Sequence, residues 1–329
     1  MFFIVGTGRS GTNLLRSILN LHREVWVATE THFIRTLLQK FGDRKFDVSN
    51  FSRIALNHWT TGGTERWVHK HLEAGGHSPQ SFHDSFAEFS PVQRGTVHQF
   101  VNAFFHYCYG AKYSQIGDKT PFYGRHMSAI RHQWPEAKFI HMVRDGRHSA
   151  ASMQKHMGFV RLINAGFPDE VEHYSYKNEA ASYSTEPVTK LDCIRFWGRI
   201  ATDIRRESER IPQESYLETR FEDLVLHPLR ETVRIVQFLD LPVSFSHLGR
   251  AVQVPQPFKL GEQFLAYEPA SYDRLTEEIE DELRTFEYST QPYRQNRLTQ
   301  LTKYPKEMFN RIVYQRVGRG LRSVISCIK

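Results

Sequence analysis

Short apolar runs alternate with amphipathic stretches along most of this chain. Phe2-Phe3-Ile4-Val5 is uninterrupted and gives way to Gly6-Thr7-Gly8-Arg9-Ser10-Gly11, after which Leu14, Leu15, Ile18, Leu19 and Leu21 recur at helical spacing. Val25 to Thr29 predicts a second strand, Ser114 to Pro121 a third that its proline stops, Ala137 to Val143 a fourth and Tyr216 to Leu226 a fifth. Helical periods fill Phe122–Trp134, His148–His156, Leu191–Ile211 and Pro228–Leu239. Such alternation predicts an α/β fold, a P-loop-like parallel sheet flanked by helices. Two stretches depart from it. Residues 33–112 carry helical periods crowded with aromatics and histidines, and predict a helical insertion whose rings form core. Residues 158–190 have no clear period and predict a lid-like loop.

Composition narrows the class. With 329 residues and 40% hydrophobic content the chain can bury a sizeable core, as one domain over residues 1–293 followed by a tail, 294–329. Cys108, Cys193 and Cys327 are widely spaced and form neither a disulfide framework nor a zinc pattern, and His69-x-His71 lacks a third ligand nearby, so no metal site is expected. The first strand begins at residue 2 and no apolar run approaches the ~20 residues of a membrane span, which gives the expectation of a cytoplasmic protein. The charge sits at one end. Residues 294–329 hold nine Lys/Arg against the single acid Glu307, so the tail alone exceeds the chain's net +7 and no nucleic-acid partner is expected.

The candidate chemistry begins in the first loop. Gly8 and Gly11 let the backbone approach a ligand closely, Ser10, Thr12 and Asn13 offer donors, and a helix follows whose N-terminus favours an anion. A nucleotide P-loop of the GxxxxGK[ST] type would carry a Lys after its last Gly; here Thr12 follows Gly11 and the cation, Arg9, lies inside the loop. Arg144 ends the fourth strand and Ser152 follows eight residues on, a spacing that lets a guanidinium and a hydroxyl grip one phosphate. A capped helix with a solvated arginine would read the same way.

Together these segments resemble the PAPS-dependent sulfotransferases, in the branch that contains the tyrosylprotein and many bacterial enzymes. Gly8-Arg9-Ser10-Gly11-Thr12 resembles that branch's 5′-phosphosulfate loop and Arg144 with Ser152 its 3′-phosphate site. Glu30-Thr31 resembles the segment with its catalytic glutamate, Asp118-Lys119-Thr120-Pro121-Phe122 its lysine-bearing strand end, and Phe221-Glu222-Asp223-Leu224 a later strand–helix junction. The resemblance implies sulfuryl transfer from PAPS to an acceptor hydroxyl by in-line displacement, with PAP as product and no metal required. It implies Glu30 as general base, Arg9 and Lys119 as cations on the leaving group, and Gly8, Arg9, Ser10, Gly11, Thr12 and Asn13 around the 5′-phosphate. Arg144 and Ser152 would hold the 3′-phosphate.

The acceptor is left open among carbohydrate, phenol, lipid-linked hydroxyl and peptide, because His32 stands where tyrosylprotein enzymes carry an arginine and Asn13 replaces a second loop threonine. Two other classes stay open: a P-loop kinase-like phosphotransferase, disfavoured by the missing loop Lys, and a non-enzymatic nucleotide- or surface-binding module, disfavoured by the presence of both Glu30 and Lys119. In the tail, Met308, Ile312, Val313, Val317, Leu321, Val324, Ile325 and Ile328 recur at roughly helical spacing with Arg311, Arg316, Arg319 and Arg322 between them. This basic helical tail predicts packing on the domain, a homodimer contact, or peripheral contact with an anionic membrane.

Overall fold

Burial at every position of β1 (Phe2–Val5) requires a place at the centre of a sheet covered on both faces. The computed structural model describes residues 1–59, 65–110, 112–166, 184–255 and 267–296. After β1 come β2 (Val25–Ala28), the short β3 (Phe46–Asp47) and β4 (Arg94–Gly95), then β5 (Gln115–Asp118), β6 (Lys138–Val143) and β7 (Tyr216–Arg220). The main sheet has the order β2-β5-β1-β6-β7 with every pairing parallel, and β3 pairs β4 antiparallel. Successive side chains alternate between its faces. Phe3, Val5, Phe139 and Val143 enter one core, and Phe2, Ile4, Ile140 and Met142 the other.

Helices supply both layers. α1 (Thr12–Leu19) follows β1, and α2 (Phe33–Phe41), α3 (Val48–Leu56), α4 (Trp67–Ala74), α5 (Phe82–Phe89) and α6 (Val97–Tyr109) lie with β3 and β4 between β2 and β5. Its aromatics are core: Phe33, Phe51, Phe82, Phe86, Phe100 and Phe104 are fully buried. Later come α7 (Met127–Gln133), α8 (Gly146–Met153), α9 (Met157–Asn164), α10 (Lys190–Ser208), α11 (Phe221–Leu226), α12 (Pro228–Phe238) and α13 (Phe245–Ala251). The sheet order reverses at β1, since the chain crosses from it to β2 and β5 on one side and to β6 and β7 on the other. Ligands of open parallel sheets bind at the carboxyl ends of the strands beside such a switch.

Three elements differ from expectation. The fifth strand ends at Arg220, because Glu222 and Asp223 favour a helix N-terminus and Arg220 Nε donates to Asp223 Oδ2 at 2.8 Å, which turns Phe221–Leu226 into α11. The lid-like segment opens as a helix, α9, with Gly158, Phe159, Val160 and Leu162 buried; residues 167–183 lie outside the described residues. Pro121–His126 forms a 3₁₀ turn ahead of α7, so the helix expected from Phe122 begins later.

The chain beyond α13 adds the helices Pro269–Glu278 and Glu280–Thr285, packed against α8 and α10. Of the basic tail, residues 297–329 lie outside the described residues. Arg147 ties the added helices to the tip of β6. Its Nε and Nη2 donate to Asp145 Oδ1 and Oδ2 at 2.9 and 2.6 Å, and its Nη1 donates to Thr276 Oγ1 at 2.9 Å and to the Ser289 carbonyl at 3.0 Å. Burial alone would push the Asp145 carboxyl up, but Arg147 and then His148 outweigh it and hold the group at about 2. Arg147→Ala is therefore expected to strand a buried charge and to cost about 3 to 5 kcal/mol in urea unfolding, whereas a loss below about 1 kcal/mol would contradict this role.

Candidate active site

The loop after β1 passes between two aromatic rings. Gly8, Arg9 and Gly11 take φ values of 78°, 53° and 94°, the left-handed region that glycine enters without strain. A Cβ on Gly8 would lie 2.4 Å from Phe159 Cζ, and one on Gly11 2.3 Å from Phe221 Cδ2, so the rings leave room for hydrogen only. Gly11 caps α1 with no side-chain hydrogen bond, and the first-turn amides of Thr12 and Asn13 have no carbonyl one turn back to bond. The Ser10 hydroxyl is fully buried and meets no hydrogen-bond partner among the described residues. These are the features of an anion cradle.

Neighbouring strand ends deliver the other groups. β2 leads into Glu30, whose Oε1 accepts from Lys119 Nζ at the end of β5 and whose Oε2 accepts from His32 Nε2 at 2.9 Å. Lys119 is buried, and the Glu30 side chain is 22% exposed and lines the cavity. Burial alone would raise the Glu30 carboxyl, but the Lys119 ammonium and the His32 ring overcome it and hold the group well below the usual carboxylate range. His71 Nε2 donates to the Glu30 carbonyl at 3.1 Å and His71 Nδ1 accepts from Tyr109 Oη at 2.7 Å; burial lowers that imidazole to about 4 and keeps it neutral. Between β2 and β5, Thr31 Oγ1 and Thr120 Oγ1 donate to Asp118 Oδ2 and Oδ1 at 2.6 Å each, which fixes both strand ends in one frame.

Arg144 lines the same cavity, and Ser152, which does not line it, is joined to Arg144 through Arg9. Arg9 Nε donates to Ser152 Oγ at 3.0 Å, and Arg144 Nη1 donates to the Arg9 carbonyl at 2.9 Å while its guanidinium lies 4.7 Å from the centre of the Phe221 ring. The structure thus sets Arg9 beside the expected 3′-phosphate pair, while Glu30 and Lys119 form a separate group. The cavity that joins them encloses about 630 Å³; Gly8, Arg9, Gly11, Thr12, Asn13, Glu30, Lys119 and Arg144 all line it.

Sequence reasoning missed part of this wall. Trp67 and Lys70 come from α4, His156 precedes α9, and Phe159 and Leu162 belong to it. Both helices lie in stretches with no motif, so no local signal marked them. His71 is hydrogen-bonded and supports the Glu30 backbone. Among the described residues no group of three His, Cys, Asp or Glu side chains is placed to hold a metal ion.

The arrangement is an anion cradle at a topological switch point with an ionised carboxylate–lysine pair in the same cavity, and comparison with known proteins gives the family. The sulfotransferase family model matches residues 2–245, and the chain belongs to that family. Over 242 residues it is 24% identical to a protein-tyrosine sulfotransferase of Drosophila melanogaster, matching 74% of this chain and 38% of the relative. Protein-tyrosine sulfotransferase 1 of Danio rerio is 26% identical over 242 residues, matching 74% of this chain and 53% of the relative. The chain therefore spans about half the length, or less, of these curated relatives. The sulfotransferase domain of the curacin biosynthetic pathway shares the fold, with a TM-score of 0.52 and 18% identity over 78% of this chain and 77% of that one.

The same relatives overturn the cytoplasmic expectation, for protein-tyrosine sulfotransferases are Golgi membrane enzymes. That expectation rested on where the first strand begins and on the lack of a long apolar run, neither of which reports on a compartment. No helix among the described residues is long and apolar enough to cross a membrane.

The frame beneath the site has a pH signature. Burial raises the Asp118 carboxyl to about 7, against the pull of the Thr120 and Thr31 hydroxyls and of Lys119. A carboxyl raised in the fold contributes stability that is present at low pH and lost as pH rises through its folded value. Wild type is expected to lose stability relative to Asp118→Asn between pH 5 and pH 8 in urea unfolding, and an equal difference at both values would contradict the raised carboxyl.

Proposed function

We propose that the chain transfers a sulfuryl group from PAPS to an acceptor hydroxyl, with Glu30 as the general base. The observation that carries this reading is the pairing of Glu30 and Lys119 in a cavity that Arg9 and Arg144 also line, with Ser152 bonded behind Arg9. PAPS supplies an activated sulfuryl group and a phosphate leaving group. The loop amides and the Ser10 hydroxyl would take the 5′-phosphate, and the orphaned Ser10 oxygen fits such an acceptor. Arg144 and Ser152, with Arg9 between them, would take the 3′-phosphate through charge-assisted hydrogen bonds.

Lys119 has two uses in this reading. It holds Glu30 ionised beforehand, and its ammonium turns toward the leaving phosphate as negative charge develops there. Glu30 gains proton affinity as Lys119 departs, since the same cation holds the carboxyl low. The acceptor proton then passes to Glu30 while the acceptor oxygen bonds sulfur and the bond from sulfur to the phosphate oxygen breaks. The acceptor side offers Trp67, Phe122, Phe159 and Leu162, apolar surface suited to an aromatic or otherwise partly apolar hydroxyl compound, and peptide tyrosine stays among the candidates on the strength of the relatives.

Glu30→Gln keeps the shape of the side chain and removes its basicity. Its turnover of sulfur-35-labelled PAPS is expected to fall roughly 10²- to 10⁴-fold, with the Kd for PAP changed by less than about threefold. Wild-type turnover in this variant would assign the base to another group.

A further inference from the structure

Each oxygen of Glu30 has its own partner, and the two partners differ in freedom. Lys119 bonds Oε1 through a long flexible side chain next to the anion loop, where developing charge attracts it. His32 bonds Oε2 at 2.9 Å through a short side chain with only two rotatable bonds. Its backbone is held at φ 57°, in the left-handed region, as the cap residue of α2. Its ring is buried and packs against Trp67 with the ring centres 4.8 Å apart and the planes inclined by 36°. The other end of Glu30 is fixed as well, because His71, itself held by the Tyr109 hydroxyl, donates to the Glu30 carbonyl.

With its carbonyl and Oε2 both anchored, the freedom left to Glu30 is the choice of partner at Oε1. We infer that His32 is a positioning residue for sulfuryl transfer, pinning Oε2 so that Oε1, released by Lys119, is the oxygen that receives the acceptor proton. This rests on the reading of Glu30 as the base. His32 acts as a clamp and not as a relay. An ionised carboxylate offers only lone pairs at Oε2, so Nε2 must carry the hydrogen of that bond and keeps it throughout. The acceptor O–H bond breaks, its proton goes to Oε1, its electron pair forms the new bond to sulfur, and the leaving phosphate keeps the pair of the bond it loses. A left-handed residue that is not glycine is uncommon, and here it places an imidazole where a shorter donor would miss Oε2.

Two polar substitutions separate clamping from packing. In His32→Gln the amide nitrogen falls near the position of Nε2, whereas in His32→Asn it falls near Nδ1, short of Oε2, and asparagine tolerates the left-handed backbone. The probes are sulfur-35-labelled PAPS as donor and a series of phenols from 4-methylphenol to 4-nitrophenol as acceptors, with release of sulfate to water measured alongside. His32→Asn is expected to lower kcat about 10- to 100-fold with the Kd for PAP unchanged, the scale of loss from a misplaced catalytic group. His32→Gln should retain most of the wild-type rate. The deficit of His32→Asn should shrink toward 4-nitrophenol, which needs the base least, and should vanish in a Glu30→Gln background. Wild-type kcat in His32→Asn, equal losses in both His32 variants, or an undiminished effect of His32→Asn beside Glu30→Gln would overturn the inference. Full turnover by Glu30→Gln alone would instead remove Glu30 as the base, and so keeps the two failures distinct.

Discussion

The pairing of Lys119 with Glu30 is the interaction on which the site depends. Removing two charges from water costs several kcal/mol per ion, and such a pair persists only where further hydrogen bonds satisfy it and the backbone holds both partners. Here the support is extensive. Adjacent parallel strands β2 and β5 bring the two residues together, Thr31 and Thr120 lock the strand ends onto Asp118, and His32 and His71 hold Glu30 from its two ends. The result is a carboxylate kept ionised and a cation kept within reach of an anion cradle, two conditions that transfer to a hydroxyl requires.

The cradle relies on a different device. Phe159 and Phe221 press on Gly8 and Gly11 from α9 and α11, so the left-handed loop is enforced by packing and by its glycines together. Phe221 also lies against the Arg144 guanidinium, and Glu222 beside it accepts from the Asp145 amide at 3.2 Å and from Tyr288 Oη at 2.7 Å. Segments distant in the chain thus converge on one strand tip. Tyr288, and Thr276 and Ser289 that bond Arg147, lie beyond the stretch that the family model matches, which makes the C-terminal segment part of the frame of the site.

Most of this frame was legible because parallel strands buried on both faces read as near-continuous apolar runs, unbroken in β1 and interrupted only by His141 after Lys138 in β6. The loop was legible because closely spaced glycines between a buried strand and a helix suit an anion cradle as well as a chain reversal. α11 was not, since Phe221, Leu224, Val225 and Leu226 continue the apolar pattern of β7 and the helix is set by Arg220 closing on Asp223. The C-terminal helices escaped because their buried positions are few and contact elements more than 80 residues away in places, as Arg147 with Thr276 and Ser289 does. Glu30 and Lys119 could be named from the resemblance, but the supports on Glu30 could not. His71 reaches it across 41 residues of chain, and the bond from His32 depends on a left-handed backbone that no residue type announces. The direction of Arg9, toward Ser152, was equally hidden, being a contact across 143 residues.

The central claim is that the two ends of this cavity fit one ligand, a nucleotide with a 5′-phosphate group and a 3′-phosphate. Calorimetric titration with PAP and with ATP, in the presence of a metal chelator, tests it most directly, on wild type and on Arg144→Ala. The account predicts that wild type binds PAP without metal and ATP far more weakly, and that Arg144→Ala loses most of that preference, by about 1.5 to 3 kcal/mol. Equal affinity for the two nucleotides in wild type, or a PAP preference untouched by Arg144→Ala, would contradict it.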